Sequence, residues 1–198
     1  MYCGVVNSRD VMKRNTRHPA LFLGSSGPKQ HQLVDQYIVY SEGSELKDLA
    51  ERGAATGVVI RDAEGVVSFA SATVVRFAGT PLVAELMAIR DGIKAAIQRR
   101  VVLFEVQSDF LQAVHLINEA EVGCWQEGGL IVEIQRLLQH HSTNGVRFVF
   151  QEENVVAHVL ANYALTYKVS AMWIGVSPPC ARHAIERDLP FTCNRLVV

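Results

Sequence analysis

The sequence predicts one α/β domain built on a five-stranded mixed sheet, part antiparallel meander and part parallel, with helices on both faces. Three observations predict it. Three strand-like segments follow one another between Tyr37 and Val75, with the turn signal Asp62-Ala63-Glu64-Gly65 between the second and third. The apolar period then lengthens, with Leu82, Leu86, Ile89, Ile93 and Ile97 recurring every three or four residues. From there to Tyr167 strand-like and helix-like stretches alternate, the pattern of strand–helix crossovers beside a meander.

Residues 1–36 show no sustained period and collect Asn, Ser, Gly, Pro, His and Gln, as in Gly24-Ser25-Ser26-Gly27-Pro28. They are expected as a flexible N-terminal arm. The domain is expected over residues 37–168. Tyr37–Ser41 and Thr56–Arg61 read as the first two strands, and Val66–Val75 as the third, closing a hairpin. Pro81, tolerated in a first helical turn, precedes a helix over residues 82–99. Val101–Val106 is a continuous apolar run of strand length, as a strand buried on both faces requires. Ser108 or Asp109 can cap the next helix, in which Leu111, Val114 and Ile117 share a face. A further helix over Leu130–Gln139, a strand over Val146–Phe150 and a helix over Asn154–Tyr167 complete the domain. Residues 169–198, with Pro178-Pro179, are expected as a C-terminal tail packed along the surface.

At 198 residues, about half of them apolar and a fifth charged, the chain is long enough for one full core and short for two. No stretch approaches the roughly 18 consecutive apolar residues of a membrane span, so no membrane partner is expected. Cys3, Cys124, Cys180 and Cys193 stand far apart with no C-x-x-C pair, which suggests neither a zinc site nor a disulfide framework. Reduced thiols and an intracellular, nuclear or cytoplasmic location follow as expectations. Arg9, Lys13, Arg14 and Arg17 give the arm a distant likeness to an organellar transit peptide. Beyond residue 36 there are fourteen Lys and Arg against eighteen Asp and Glu, so the domain lacks the broad basic footprint of a strong nucleic-acid binder.

Glu42, Glu85 and Asp109 each stand where an expected strand ends or a helix begins. Carboxylates delivered from separate elements of one sheet are how a protein builds an oxygen-rich pocket for hard divalent cations. Each also has an ordinary explanation. Glu42 suits a solvated acid at a strand-to-loop junction, Glu85 complements a helix N-terminus, and Asp109 suits an N-cap. His158 suits a partly exposed helix position. Arg90, Lys94, Arg99 and Arg100 form either a strip for phosphate contacts or solvated surface. Trp125 and Trp173 suit base stacking or packing. No phosphate-cradling glycine loop is present.

Four stretches together resemble one family: Thr56-Gly57-Val58-Val59-Ile60-Arg61-Asp62 with Gly65, Ala84-Glu85-Leu86-Met87-Ala88-Ile89, Val106-Gln107-Ser108-Asp109, and Glu153-Asn154-Val155-Val156-Ala157-His158-Val159-Leu160-Ala161. Met172-Trp173 followed by Pro178-Pro179 extends the likeness. The chain resembles, over about residues 37–190, the ribonuclease H fold, and within it the retroelement-related ribonuclease H-like domains abundant in plants. The resemblance implies a first-strand Asp, a Glu on the first helix, an Asp ending the fourth strand and a fourth acid on the last helix. Those catalytic roles fall here on Glu42, Glu85, Asp109 and His158. Glu42 is a conservative departure and His158 a chemical one, although His at that place looks common in the plant family.

The resemblance further implies an endonuclease that hydrolyses the RNA strand of an RNA/DNA hybrid, with Mg2+ as cofactor, or Mn2+ in its place, held by Glu42, Glu85 and Asp109. His158 offers a ring nitrogen, which suits Mn or Zn better than Mg. His140-His141 falls near the place where related enzymes carry a His assisting product release, and also suits a solvated helix end. The two departures keep other readings open: a domesticated domain that binds nucleic acid without turnover, or a scaffold for a protein partner. The oligomeric state is not legible in the sequence.

Overall fold

The computed structural model describes residues 36–45, 53–76, 78–119 and 127–193. The expected arm, apart from Gln36, and Trp125 lie outside the described residues. The sheet runs in the order β5-β4-β1-β2-β3-β6. Its strands are β1 (Gln36–Glu45), β2 (Ala54–Arg61), β3 (Val67–Val75), β4 (Leu103–Ser108), β5 (Thr143–Phe148) and β6 (Ala171–Ile174). β1, β2, β3 and β6 pair antiparallel in turn, while β4 lies parallel to both β1 and β5. The mixed sheet with helices on both faces is as expected from the sequence.

The hairpin between β2 and β3 turns on Asp62, whose Oδ1 accepts from the amides of Glu64 (3.1 Å) and Val66 (2.8 Å). Gly65 completes it at φ 82, a left-handed conformation that favours glycine. Helix α1 (Pro81–Gln98) starts at Thr80, whose side chain accepts from the Val83 amide, with Pro81 in the first turn. The remaining helices are α2 (Leu111–Asn118), α3 (Gly128–Gln139), α4 (Val155–Tyr167) and α5 (Arg182–Cys193).

The structure departs from expectation at several places, β5 among them, which starts at Thr143 and ends at Phe148. β1 runs on past Glu42, pairing residue by residue with β2 as far as Glu45 opposite Ala54, so Glu42 lies within the strand. β4 begins at Leu103, because Arg100 turns left-handed (φ 58) after α1 and leaves Val102 two-thirds exposed in the connection. The sheet has six strands where the sequence indicates five. β6 is too short for its alternation to register as a pattern, yet its backbone pairs with Phe69–Ala72 of β3 and its Trp173 packs edge-on to Tyr163. Likewise α5 carries Pro190 within it, a residue that argues against a helix in sequence, but it buries Ala184 and Ile185.

The two faces carry different cores. On one, Val39, Val58, Ile60, Phe104 and Val106 of the sheet pack against Leu86, Ile89 and Ile93 of α1 and against α2 and α3. On the other, Ala55, Val59, Ala70 and Ala72 meet Val156, Ala157, Leu160 and Ala164 of α4. Two glycines bring helices onto these faces at one level of the sheet. A Cβ on Gly43 would meet the Ala84 carbonyl carbon and the Glu85 amide nitrogen of α1, each at 2.4 Å. One on Gly57, which pairs with Glu42, would lie 2.0 Å from the Ala157 carbonyl oxygen of α4. Gly57→Ala must therefore push α4 off the sheet, and is expected to cost about 1–3 kcal/mol, the usual range for overpacking. Urea unfolding measures it: a lowered midpoint is predicted, and an unchanged one contradicts the close approach.

Candidate metal centre

The backbone approach at Gly43 and Gly57 fixes where side chains from four elements meet. Glu42 of β1 points to the face covered by α4, since it stands directly opposite Gly57. Glu85 enters from α1 and accepts a hydrogen bond from the Gly43 backbone amide. Asp109 follows the last residue of β4, which lies parallel to β1 with Ser41 beside Ser108. One oxygen from each of Glu42, Glu85 and Asp109 lies within 4.8 Å of the others.

Two of these acids are withdrawn from water, Glu42 at 7% exposed and Glu85 at 4%, while Asp109 is half-buried and forms the open side. Burial therefore raises the Glu42 carboxyl to about 7, opposed by its bond to His158 and reinforced by Asp109. Glu85 is pushed to about 9 by burial first and then by the Glu42 charge. Its Oε2 is buried with no hydrogen-bond partner among the described residues. Three carboxyl groups, one of them with an oxygen buried without a hydrogen-bond partner among the described residues, form an all-oxygen donor set that suits a hard divalent ion.

His158 reaches Glu42 from one turn inside α4, with Nδ1 3.0 Å from Glu42 Oε1. Its Nε2 lies 2.8 Å from the Asn162 side-chain amide, so a neutral ring protonated on Nδ1 donates to Glu42 and accepts from Asn162. The bond to Glu42 raises the His158 pKa, against the effect of burial. Nδ1 thus engages Glu42 of the three-carboxylate cluster, and Nε2 is engaged outside it. Asn154, which sequence reasoning placed only as the start of the last helix, is 1% exposed and lies between Glu42 and Asp109.

Residues 45–164 match the family described as reverse transcriptase-like. The chain belongs to the reverse transcriptase-like family. It carries a ribonuclease H-like domain. Its fold is similar to that of RNase H1 from the halophilic archaeon Halobacterium salinarum, with a TM-score of 0.61 at 20% identity over 67% of this chain and 98% of that one. The N-terminal RNase H domain of a Mycobacterium tuberculosis protein gives 0.60 at 20% identity, over 67% and 95%. LC11-RNase H1, solved in complex with an RNA/DNA hybrid, gives 0.59 at 20%, over 67% and 98%. No curated protein matches the chain.

Within this ribonuclease H-like domain the ordinary explanations of the acids do not hold. Glu42 is inside a strand and buried, and Glu85 lies beyond the first turn of α1. Asp109 does not cap α2, which has no side-chain cap; the Ser108 hydroxyl accepts the Phe110 amide instead, at 3.2 Å. Ordinary explanations do hold elsewhere. His140 and His141 each donate from Nδ1 to a carbonyl of the last turn of α3, at 2.8 Å. Of the basic strip, Arg90 pairs with Asp91 (2.8 Å) and Lys94 with Glu133 (2.6 Å), while Arg99 lies 4.6 Å over the Phe69 ring. Trp173 packs on Tyr163.

The raised pKa values fix the pH dependence of the metal-free domain. A carboxyl whose pKa rises from 4.5 on folding favours the fold below 4.5, and that contribution is lost as pH rises through its folded value. Glu42, Glu85 and His158 all act in this direction, so stability falls between about pH 4.5 and 9. Glu85→Gln is expected to flatten the upper part of the decline and to stabilise the metal-free protein by about 1 kcal/mol or more at pH 8, a tenfold change in proton affinity being worth about 1.4 kcal/mol. Thermal unfolding across that pH range in a chelator is the check, and a wild-type curve that rises with pH contradicts it.

Proposed function

We propose that this domain hydrolyses the RNA strand of RNA/DNA hybrids with divalent metal ions bound at Glu42, Glu85 and Asp109. The observation that carries the reading is the convergence of three carboxylates, from β1, α1 and the end of β4, with Glu85 Oε2 buried without a partner among the described residues. Divalent ions held by Glu42, Glu85 and Asp109 would supply an activated water and stabilisation of the leaving 3'-oxygen, and Mg2+ or Mn2+ suits the oxygen set. The chain's own residues hold and orient. Glu85 is fixed at one end by the Gly43 amide, Glu42 is steadied through Oε1 by His158, and half-buried Asp109 faces the side from which a phosphodiester approaches. A cavity of about 200 Å³ lined by Gln151, Glu152, Val155 and His158 opens beside the ring that bonds Glu42. A 2'-hydroxyl distinguishes RNA from DNA at such a site. Support for the hybrid as substrate comes from the fold shared with LC11-RNase H1, which was solved with one bound.

A second reading, a domain that binds nucleic acid without turnover, is favoured by one feature. His158 stands where a fourth acid is implied and occupies Glu42 Oε1 at 3.0 Å, so it competes with an ion for that oxygen. A labelled hybrid duplex incubated with Mg2+ and then Mn2+ separates the two. Cleavage of the RNA strand is expected, and Asp109→Asn should lower the rate at least about 100-fold, the upper range for disturbing even an outer residue of a metal site. His158→Asp, which exchanges a ring nitrogen for hard oxygens, is expected to raise the Mg2+-supported rate relative to the Mn2+-supported rate. Hybrid binding that weakens with salt, with no cleavage in either ion, supports the second reading and rejects the first.

A further inference from the structure

Asn immediately before a helix ordinarily serves as its N-cap, accepting a backbone amide of the first turn through Oδ1. Asn154 occupies that position before α4 and makes no such bond. Its Oδ1 is buried without a partner among the described residues, an arrangement that costs stability. Its Nδ2 instead donates away from the helix, toward the Ser41 carbonyl at 2.9 Å, Glu42 Oε2 at 3.1 Å and Asp109 Oδ1 at 3.1 Å. Two amide hydrogens shared among three acceptors form a clamp between two acids that would otherwise repel each other. The apolar packing of α4 is made by Val156, Ala157, Leu160 and Ala164, and Asn154 is not part of it.

We propose that Asn154 is a positioning residue that holds the Glu42 and Asp109 carboxylates facing a common point, so that a divalent ion finds them already oriented. The inference rests on the metal-centre reading above. It divides the work at Glu42 between two partners: His158 bonds Oε1 and Asn154 bonds Oε2, so that each oxygen is held from a different side chain. Asn154 also ties Asp109, on the loop after β4, to the backbone of β1 through Ser41, a link that no strand pairing supplies beyond Ser108. Its Oδ1, without a partner among the described residues, is the residual cost of pointing the amide at the acids.

Calorimetric titration of Mn2+ into the wild type, Asn154→Ala and Asn154→Ser tests it, with thermal unfolding of each metal-free protein alongside. Serine keeps a hydroxyl but cannot span both carboxylates. Folded variants are expected to bind Mn2+ about 10- to 100-fold more weakly, the range for outer residues of metal sites. In hybrid cleavage the Mn2+ concentration for half-maximal rate should rise by a similar factor, with the maximal rate largely restored by excess ion, which a purely architectural defect would not show. Variants that bind Mn2+ as tightly as a binding-competent wild type overturn the role of Asn154 and leave the metal centre standing. A wild type that takes up no Mn2+ overturns the metal centre itself, and this inference with it. If both variants fail to fold, Asn154 is architectural and the proposal is wrong.

Discussion

Mutual repulsion among three clustered carboxylates, two of them buried, is the constraint around which this domain is arranged. Placing Glu42, Glu85 and Asp109 within 4.8 Å of one another, two of them almost wholly out of water, is unfavourable while all are ionised. The chain meets this in two ways without a cation: protons are retained, as the elevated Glu42 and Glu85 values show, and donors are directed at the carboxylates. Gly43 of β1, His158 of α4 and Asn154 at the start of α4 provide those donors. A core built only for stability has no need of such a cluster, and an apolar set of similar volume would fold at least as well.

The architecture around the cluster follows from bringing helices close to a strand. Gly43 lets α1 touch β1 and Gly57 lets α4 touch β2, one from each face, at neighbouring levels of the same antiparallel pair. The small residues on the α4 face, Ala55, Ala70, Ala72, Ala157 and Ala164, extend that close contact along the helix. Parallel pairing of β4 with β1 then carries Asp109 to the same edge, because parallel neighbours end together. Each carboxylate is thus placed by backbone contacts that leave side chains little freedom.

Much of this was legible in the sequence. The change of apolar period at Leu82 marked the switch from meander to helix, and five strands and four helices were found in order because each buries a patterned face. The three acids stood out by their positions at element boundaries, although Glu42 was placed at a strand end when its strand continues to Glu45. β6 and α5 escaped because one is four residues long at a sheet edge and the other contains Pro190; tertiary contact with β3 and α4 decides both. Asn154 escaped for a different reason. An Asn before a helix is already explained by capping, and only coordinates reveal that its amide points the other way.

Calorimetry of Mn2+ uptake near pH 7, repeated in buffers that differ in ionisation enthalpy, tests the central claim most directly because it counts the protons displaced by the ion. If the carboxylates retain protons only for want of a cation, binding releases about one to two protons per site at pH 7, and fewer as the pH approaches 9. Ion uptake with no proton release at pH 7, or no ion uptake at all, contradicts that account.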